Sequence, residues 1–224
     1  MRLTGKSKLY RKTVEVYGLK KDGSVFPIEL TVSFWNTKEG TFYTSIVRDI
    51  TEHKKMQDEL AKLATTDTLT GIFNRRKMHE LLGMEINKAK RYKSPLSLIM
   101  FDIDHFKMVN DTYGHSVGDS VLRTLVKIVK RNLRNTDYFC RWGGEEFLIL
   151  SPETDLEMAT TSAERLGMVT EKHSFEGVNR ITISLGVTQF DEKDNVDSFL
   201  MRVNDALYIA KNRGRNRVET SVSA

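Results

Sequence analysis

Short apolar runs separated by turn residues occupy the first fifty positions of the chain. The runs cover 14–17, 26–32 and 41–47. Asp22-Gly23, between the first two runs, is typical of a β-hairpin turn. Three such strands would form a sheet with one apolar face and little in the segment to cover it. We therefore expect residues 1–50 to need a partner surface.

A helical spacing follows in residues 51–66, where apolar side chains recur every three or four positions. The stripe consists of His53, Met56, Leu60 and Leu63. Two interpretations are open: a short coiled coil that pairs two chains, or an amphipathic helix packed on its own domain. Because the stripe lies between two regions that each have a core of their own, pairing is favoured.

From residue 67 onward, helical and strand-like segments alternate. Helices are predicted at 75–91, 118–133, 156–170 and 196–212, and strands at 96–101, 138–150 (a hairpin) and 181–187. This order predicts an α/β fold in which helices cover a mixed central sheet. The predicted organisation is a β segment at 1–50, a connecting helix at 51–66 and a larger domain at 67–224.

The composition, with 39% hydrophobic and 29% charged residues, is that of an ordinary globular protein. No apolar run approaches the roughly 18 residues that would cross a bilayer. The basic N-terminus lacks the apolar stretch of a signal peptide. The single cysteine, Cys140, permits no internal disulfide and is typical of a reducing compartment, so a cytoplasmic location is expected.

The net charge of +5 is unevenly distributed. Residues 1–66 hold 12 Lys and Arg against 8 Asp and Glu, which leaves 23 against 22 for the rest of the chain. A polymeric nucleic acid is bound by a concentrated basic stripe, whereas a few cations suffice for a mononucleotide. The charge pattern therefore favours the smaller ligand.

Two pairs of acidic residues stand at the ends of predicted strands. Asp102 and Asp104 follow the apolar run 96–101, and Glu145 and Glu146 follow a two-glycine turn. Four carboxylates placed together would repel each other unless a cation neutralised them. Mg²⁺ fits this need, since it binds one or two carboxylates together with substrate phosphates. The alternative is that each pair only ends a strand and faces water.

Residues 67–220 also contain a series of short motifs. They are Asp67-Thr68-Leu69-Thr70-Gly71, Asn74-Arg75-Arg76, Asp102 to Lys107 with Asn110-Asp111, Tyr113-Gly114-His115 with Gly118-Asp119, Gly143 to Phe147, and Ala206 to Lys211 with Gly214-Arg215-Asn216. In order and spacing they resemble the GGDEF domain of diguanylate cyclases, here spelled GGEEF. The resemblance implies a nucleotidyl-cyclase-like fold, preceded here by a small β fragment and a connecting helix.

The resemblance further implies a homodimer in which two GTP molecules, one per chain, condense to cyclic di-GMP and release two pyrophosphates. It implies Mg²⁺, with Mn²⁺ as a substitute, and no organic cofactor. Asp102 and Glu145 are expected to hold the metal with the carbonyl of Ile103. Glu145 would also act as a base, and Glu146 is a further candidate ligand.

By the same resemblance, the backbone N–H groups of His105, Phe106 and Lys107 would bind the β- and γ-phosphates, as consecutive N–H groups in a turn can do. Lys211 and Arg215 would add positive charge. The alternative for these two is a solvated basic helix end.

Guanine recognition is assigned by resemblance to Asn110 and Asp119, and Asp119 argues for GTP over ATP. Without the resemblance they would be interpreted as a turn residue and a helix N-cap.

A second ligand site is implied by Arg134-Asn135-Thr136-Asp137, which begins nine residues before Gly143. It resembles the RxxD motif at which such enzymes bind their own product. Arg134 and Asp137, with Arg165, would then form an inhibitory site. The alternative is a set of surface charges near a helix end.

The front segment resembles the C-terminal part of a PAS domain at Lys21-Asp22-Gly23-Ser24 and at 46–52. Fifty residues cannot enclose a typical pocket of about 300 to 1,000 Å³. The segment is thus expected to belong to a longer sensor, or to serve only in dimerisation or packing.

Two other functions remain open, a catalytically silent receptor for cyclic di-GMP and a dimerising signalling scaffold. Such receptors usually lose some catalytic residues. All of those expected are present here, namely Asp102, Lys107, Glu145, Lys211 and Arg215.

Overall fold

The structure, a computed structural model, describes residues 12–178 and 180–221, with the side chain of Asp58 excepted. Most of the basic N-terminal stretch, residues 1–11, lies outside the described residues. The chain divides into two compact units, one ending at Lys62 and the other beginning at Leu63.

The first unit contains an antiparallel sheet of three strands within its described residues. The strands are β1 (Thr13–Leu19), β2 (Val25–Thr37) and β3 (Gly40–Asp49), in that order. Between β1 and β2, Asp22 accepts a hydrogen bond from the backbone N–H of Ser24 at 2.9 Å, which closes the predicted turn. The predicted N-terminal sheet is confirmed, with strands longer than expected.

Helix α1 (Thr51–Thr65) follows β3 directly. Its first turn is held by Asp49, which accepts a hydrogen bond from the Thr51 backbone N–H at 2.8 Å. The apolar stripe of the helix is exposed in this chain, at 56% for Met56, 66% for Leu60 and 60% for Leu63.

The second unit is a mixed sheet covered by helices. Its elements are β4 (Phe73–Asn74), α2 (Arg75–Tyr92), β5 (Leu96–Ile103), α3 (Phe106–Tyr113), α4 (His115–Asn132), β6 (Tyr138–Gly143), β7 (Glu146–Pro152), α5 (Leu156–Glu171), β8 (Ile183–Gln189), α6 (Val196–Asn212) and β9 (Val218–Ser221). Among the described residues the strand order is β4-β6-β7-β5-β8-β9. β4 and β9 pair in parallel with their neighbours, and the other pairs are antiparallel.

Strand β5 lies between β7 and β8 in the sheet, and every one of its residues is buried. Side chains alternate across a strand, so β5 serves two cores. Ile99, Phe101 and Ile103 pack in a cluster with α4 and α5. Leu98 and Met100 pack in the other cluster, with α2 and α6. The predicted mixed sheet flanked by helices is confirmed.

Three elements were not predicted: α3, β4 and β9. Helix α3 has only eight residues and buries two of them, Phe106 and Val109. A helix this short is unstable alone and depends on tertiary packing. Its sequence therefore carries only a weak hydrophobic periodicity from which to predict it. Helix α4 also begins earlier than predicted, at His115.

Gly186 provides a test of the contact between β8 and α6. A Cβ at this position would lie 2.3 Å from the backbone nitrogen of Leu207 and 2.5 Å from the carbonyl oxygen of Val203. Gly186→Ala should therefore lower the free energy of unfolding by about 1–3 kcal/mol, as overpacking does, in chemical denaturation.

The matched control is Gly83→Ala. Gly83 lies within α2, and an added Cβ would meet nothing within 4 Å. Alanine should stabilise this position by up to about 1 kcal/mol. Equal effects of the two substitutions would contradict the proposed close approach of α6.

Candidate active site

The hairpin of β6 and β7 presents two glutamates. Gly143 pairs with Glu146 across the hairpin, next to an irregularity in the register. Gly144 has a φ of +48°, a left-handed conformation that glycine adopts without strain. Glu145 therefore occupies the turn itself, and Glu146 is the first residue of β7.

Asp102 lies directly opposite Glu146, because β5 pairs with β7 in that register. Side chains of directly opposed residues project from the same face of a sheet, with Cβ atoms about 4.5–5.5 Å apart. Asp102 is 6% exposed. The strand end and the hairpin turn therefore bring Asp102, Glu145 and Glu146 into one region.

The electrostatics of this region are dominated by burial. The pKa of Asp102 is raised to about 6, chiefly by burial and in part by the negative charges of Glu145 and Glu146, while Lys211 opposes the shift. Burial also raises the pKa of Glu145. The Nζ atom of Lys211 lies 2.9 Å from Oδ2 of Asp102. An added cation would therefore lower the cost of ionising Asp102 and Glu145 in this region.

Asp104 differs from the expectation that all four acids converge. Its Oδ1 accepts a hydrogen bond from Ser184 at 2.6 Å. Its Oδ2 accepts from the Thr182 hydroxyl at 2.7 Å and from the Asn216 backbone N–H at 3.1 Å. Both oxygens therefore accept hydrogen bonds from β8, from the loop before it and from the turn between α6 and β9.

The segment expected to bind phosphates is a helix start. His105 is the N-cap residue of α3 with a φ of +57°, and no side chain in the described structure caps this helix. Phe106 is buried in the core and anchors the first turn, whereas Lys107 is exposed. A helix start without a side-chain cap leaves backbone N–H groups that can bind an anion.

Lys211 and Arg215 do not share one helical face. α6 ends at Asn212, and Gly214 and Arg215 have positive φ values of +109° and +60°. Lys211 reaches Asp102 from the last turn of the helix. Arg215 lies in the turn beyond the helix, exposed.

Asn110 and Asp119 lie on the neighbouring helices α3 and α4. Because α4 begins at His115, Asp119 stands inside it, and the N-cap interpretation is wrong. Asn110 likewise lies within α3, not in a turn. Oδ2 of Asp119 is 3.9 Å from Arg123, and its side chain is 46% exposed, so it is accessible to a ligand.

Arg134, Asp137 and Arg165 line one cavity of about 530 Å³. Asp137 accepts a hydrogen bond from the Arg134 backbone N–H at 2.8 Å. Arg165 donates to the Asn132 carbonyl at 2.7 Å. This cavity adjoins the start of β6, whereas Glu145 follows its end. The six residues of β6 separate the two places along the strand.

Two residues that support the hairpin were not singled out from the sequence. Nε of Arg141 donates to the Gly144 carbonyl at 2.8 Å, and its guanidinium lies 3.3 Å from both carboxylate oxygens of Asp67. The ring centroid of Trp142 lies 4.5 Å from Cζ of the Arg75 guanidinium and 5.1 Å from the ring centroid of His79. The position of Arg141, three residues before Gly144, was the available signal.

Asp67 is shaped by this contact. Burial opposes its ionisation, but hydrogen bonds from Thr70 and the charge of Arg141 outweigh burial and hold the pKa of Asp67 below its ordinary value. Cys140, in β6, is fully buried, and burial raises the pKa of its thiol to about 12. As expected, it is a small core residue.

The donor set fits a magnesium ion that substrate helps to bind. Across 12–178 and 180–221, no group of three or more His, Cys, Asp or Glu side chains is arranged to hold a metal alone. Mg²⁺ does not require one, since it typically takes one or two carboxylates, substrate phosphates and water. Asp102 and Glu145 supply carboxylates in a region that burial has made unfavourable for negative charge.

A family model described as diguanylate cyclase, GGDEF domain, matches residues 64–217. The chain therefore belongs to the GGDEF family. It is 41% identical over 173 residues to diguanylate cyclase DgcM of Escherichia coli K12, covering 77% of this chain and 42% of DgcM. It is 38% identical over 199 residues to response regulator PleD of Caulobacter vibrioides, covering 86% of this chain and 42% of PleD. The chain thus spans about two fifths of the length of these relatives.

Solved structures agree with the fold. The coiled coil and GGDEF domain of DgcB from Caulobacter crescentus, in complex with c-di-GMP, superposes with a TM-score of 0.72 at 28% identity, covering 76% of this chain and 92% of that chain. The active GGEEF domain of a diguanylate cyclase from Vibrio cholerae has a TM-score of 0.65 at 36% identity, covering 67% and 98%. Among the described helices, none has the length and apolar character of a membrane span.

The raised pKa of Asp102 predicts how stability depends on pH in the metal-free chain. An unfolded aspartate titrates near about 3.9. The folded pKa is higher, at about 6, so protonated Asp102 favours the folded state. Its contribution to stability is fully present below the pKa of the unfolded state and is lost as pH rises through 6. Between pH 5 and 7, wild type should lose about 1 kcal/mol more unfolding free energy than Asp102→Asn.

Chemical denaturation in the presence of a chelator would measure this difference, and the subtraction removes the contributions of titrating groups that do not interact with Asp102. The same pH dependence in both proteins would contradict the assignment of the raised pKa to Asp102.

Proposed function

We propose that this chain is a diguanylate cyclase, which condenses two GTP molecules into cyclic di-GMP and releases two pyrophosphates. The observation that carries the proposal is the register of β5 and β7, which sets Asp102 opposite Glu146 and beside the turn residue Glu145. Family membership and the identities with DgcM and PleD support the same activity.

In this proposal Asp102 and Glu145 hold Mg²⁺ or Mn²⁺, together with the carbonyl of Ile103. When bound, a divalent ion stabilises charge on the transferring phosphoryl group and lowers the pKa of the attacking hydroxyl. Glu145 accepts the proton of the ribose 3′-hydroxyl, whose oxygen then bonds to the α-phosphorus while the bond to pyrophosphate breaks. Glu146, on the same sheet face as Asp102, is a secondary ligand.

The triphosphate is bound from two sides. The backbone N–H groups of His105, Phe106 and Lys107 face it from the start of α3, where no side-chain cap competes in the described structure. Lys211 and Arg215 supply positive charge from α6 and the turn beyond it. Lys211 is already paired with Asp102, so it links metal and phosphate binding.

Guanine is recognised by Asn110 and Asp119, from α3 and α4. The carboxylate of Asp119 can accept hydrogen bonds from the N1–H and exocyclic amine of guanine. The amide of Asn110 can donate to the guanine acceptors. Adenine lacks the N1–H, which is why an acid at 119 supports GTP as the substrate.

The functional unit is a homodimer, because one chain carries one set of these groups and the reaction joins two GTP molecules. The exposed stripe of Met56, Leu60 and Leu63 on α1 supports pairing of two chains as a coiled coil. The sheet of residues 13–49 is the PAS-like fragment and would contribute to dimerisation or belong to a sensor. A cytoplasmic location suits a GTP-dependent enzyme with a free cysteine.

Product inhibition is proposed at the cavity lined by Arg134, Asp137 and Arg165. Its volume of about 530 Å³ lies within the usual range for small ligands. Arginine side chains suit phosphate groups and guanine, and Asp137 suits a guanine edge. Ile99 lines this cavity from the sheet face covered by α4 and α5, whereas Asp102 lies on the other face, so inhibitor and substrate occupy separate places.

Glu145→Gln tests the catalytic assignment. The substitution removes a metal ligand and base with little change in volume, so pyrophosphate release from GTP and Mg²⁺ should fall by about 10²-fold or more. Thermal unfolding should show an intact fold. Glu192→Gln, at an exposed loop position, is the control and should keep full activity. A wild-type chain that binds cyclic di-GMP but forms none from GTP would instead indicate a receptor.

Arg134→Ala tests the inhibitory site. Turnover should persist, while the concentration of cyclic di-GMP needed for half inhibition should rise by roughly tenfold, as expected for losing one charge-assisted contact. Lys127→Ala, exposed on α4, removes the same charge outside the cavity and should leave inhibition unchanged. Unaltered inhibition in Arg134→Ala would place the product elsewhere.

A further inference from the structure

Asp104 is a buried carboxylate whose hydrogen bonds have no part in the catalytic scheme above. It is 6% exposed. Its partners are the hydroxyls of Thr182 and Ser184 and the backbone N–H of Asn216. Two of them belong to β8 and the loop before it, and the third to the turn between α6 and β9. Asp104 therefore joins these two regions to the end of β5.

The turn after α6, which contains Asn216, has an uncommon backbone conformation. Arg215 and Asn216 have φ values of +60° and +47°, in the left-handed region that residues other than glycine seldom adopt. Such a turn persists only where its surroundings determine it. The turn carries Arg215, one of the two cations proposed to bind phosphate.

Other hydrogen bonds hold the ends of the same turn. The Arg215 N–H donates to the Ala210 carbonyl at 3.1 Å, and the Leu185 N–H donates to the Arg217 carbonyl at 2.9 Å. The side chain of Asn216 donates to Glu171 at 3.0 Å. Among the described contacts, the bond to Asp104 is the one that joins the turn to the end of β5.

Each residue joined by this hydrogen bond is the sequence neighbour of a proposed phosphate-binding residue. Asp104 directly precedes His105, the first residue of the proposed phosphate-binding helix start. Asn216 directly follows Arg215. One hydrogen bond of 3.1 Å therefore sets the two phosphate-binding segments against each other.

We propose that Asp104 is a positioning residue that holds Arg215 beside the start of α3, so that both contact the same triphosphate. The inference rests on the proposed function, since it assumes that these segments bind GTP. It assigns Asp104 a role through hydrogen bonding and not through negative charge at the metal.

Two substitutions separate these roles. Asparagine can keep the arrangement: its carbonyl oxygen can accept from Thr182 and the Asn216 N–H, and its amide can donate to Ser184. Leucine has a similar size but accepts nothing and leaves the Asn216 N–H without a partner. A metal ligand would be lost in both, whereas a positioning residue is rescued by asparagine.

The experiment measures steady-state kinetics with GTP and Mg²⁺, and equilibrium binding of a non-hydrolysable GTP analogue with Mg²⁺, on the full chain. Asp104→Leu should raise KM and the dissociation constant by roughly tenfold, with kcat changed much less. Asp104→Asn should stay within about threefold of wild type. Asp205→Leu, exposed on α6, is the matched control and should have no effect.

A double-mutant cycle tests the path through Arg215. If Asp104 acts by positioning Arg215, adding Asp104→Leu to Arg215→Ala should weaken analogue binding little further. The proposal would be overturned if the two substitutions weakened binding independently, so that their free-energy effects were additive. Equal losses of binding in the asparagine and leucine variants would also overturn it. Should Asp104→Leu not fold, the pair Thr182→Val and Ser184→Ala removes two of the three donors to Asp104 and should be non-additive with Arg215→Ala in the same way.

The two proposals fail differently. A wild-type chain that binds the analogue but releases no pyrophosphate would refute the cyclase activity and still allow the cycle to be completed by binding. A wild-type chain that turns over GTP but shows additive effects would refute only the role of Asp104. A chain that binds no GTP analogue would refute both.

Discussion

The antiparallel pairing of β5 with β7 is the constraint on which the candidate site depends. Its register sets Asp102 opposite Glu146, and both lie on the sheet face covered by α2 and α6. A slip of one residue would turn Asp102 to the other face. The register is supported from that other face by Phe101 and Phe147, whose rings stack with centroids 5.1 Å apart.

The buried carboxylate of Asp102 lowers local stability but provides a group that can bind a cation. Burial and two neighbouring glutamates raise the pKa of Asp102, and Lys211 offsets only part of the effect. An apolar side chain in its place would avoid the cost of burying a charge. Conflicts of this kind are expected at functional sites, and in the proposed enzyme the bound divalent cation would resolve it.

Strand β6 runs between the acidic turn and the cavity lined by Arg134, Asp137 and Arg165. The hairpin turn follows one end, and the cavity lined by Arg134 and Asp137 adjoins the other. Arg141, within the strand, joins Gly144 to Asp67, which follows α1 in the chain. The hairpin is thereby tied to the segment that follows α1 in the chain.

The sequence by itself determined the fold class, the larger elements and the acidic turn, because periodicity and turn chemistry depend on neighbouring residues. α6, for example, was predicted with its observed bounds, 196–212. Only the tertiary structure decided which acids meet. Asp104 stands two positions from Asp102, yet it bonds to Asn216, 112 positions away, just as Arg141 bonds to Asp67, 74 positions away. Such contacts arise when the folded backbone brings distant segments together, and no local pattern encodes them.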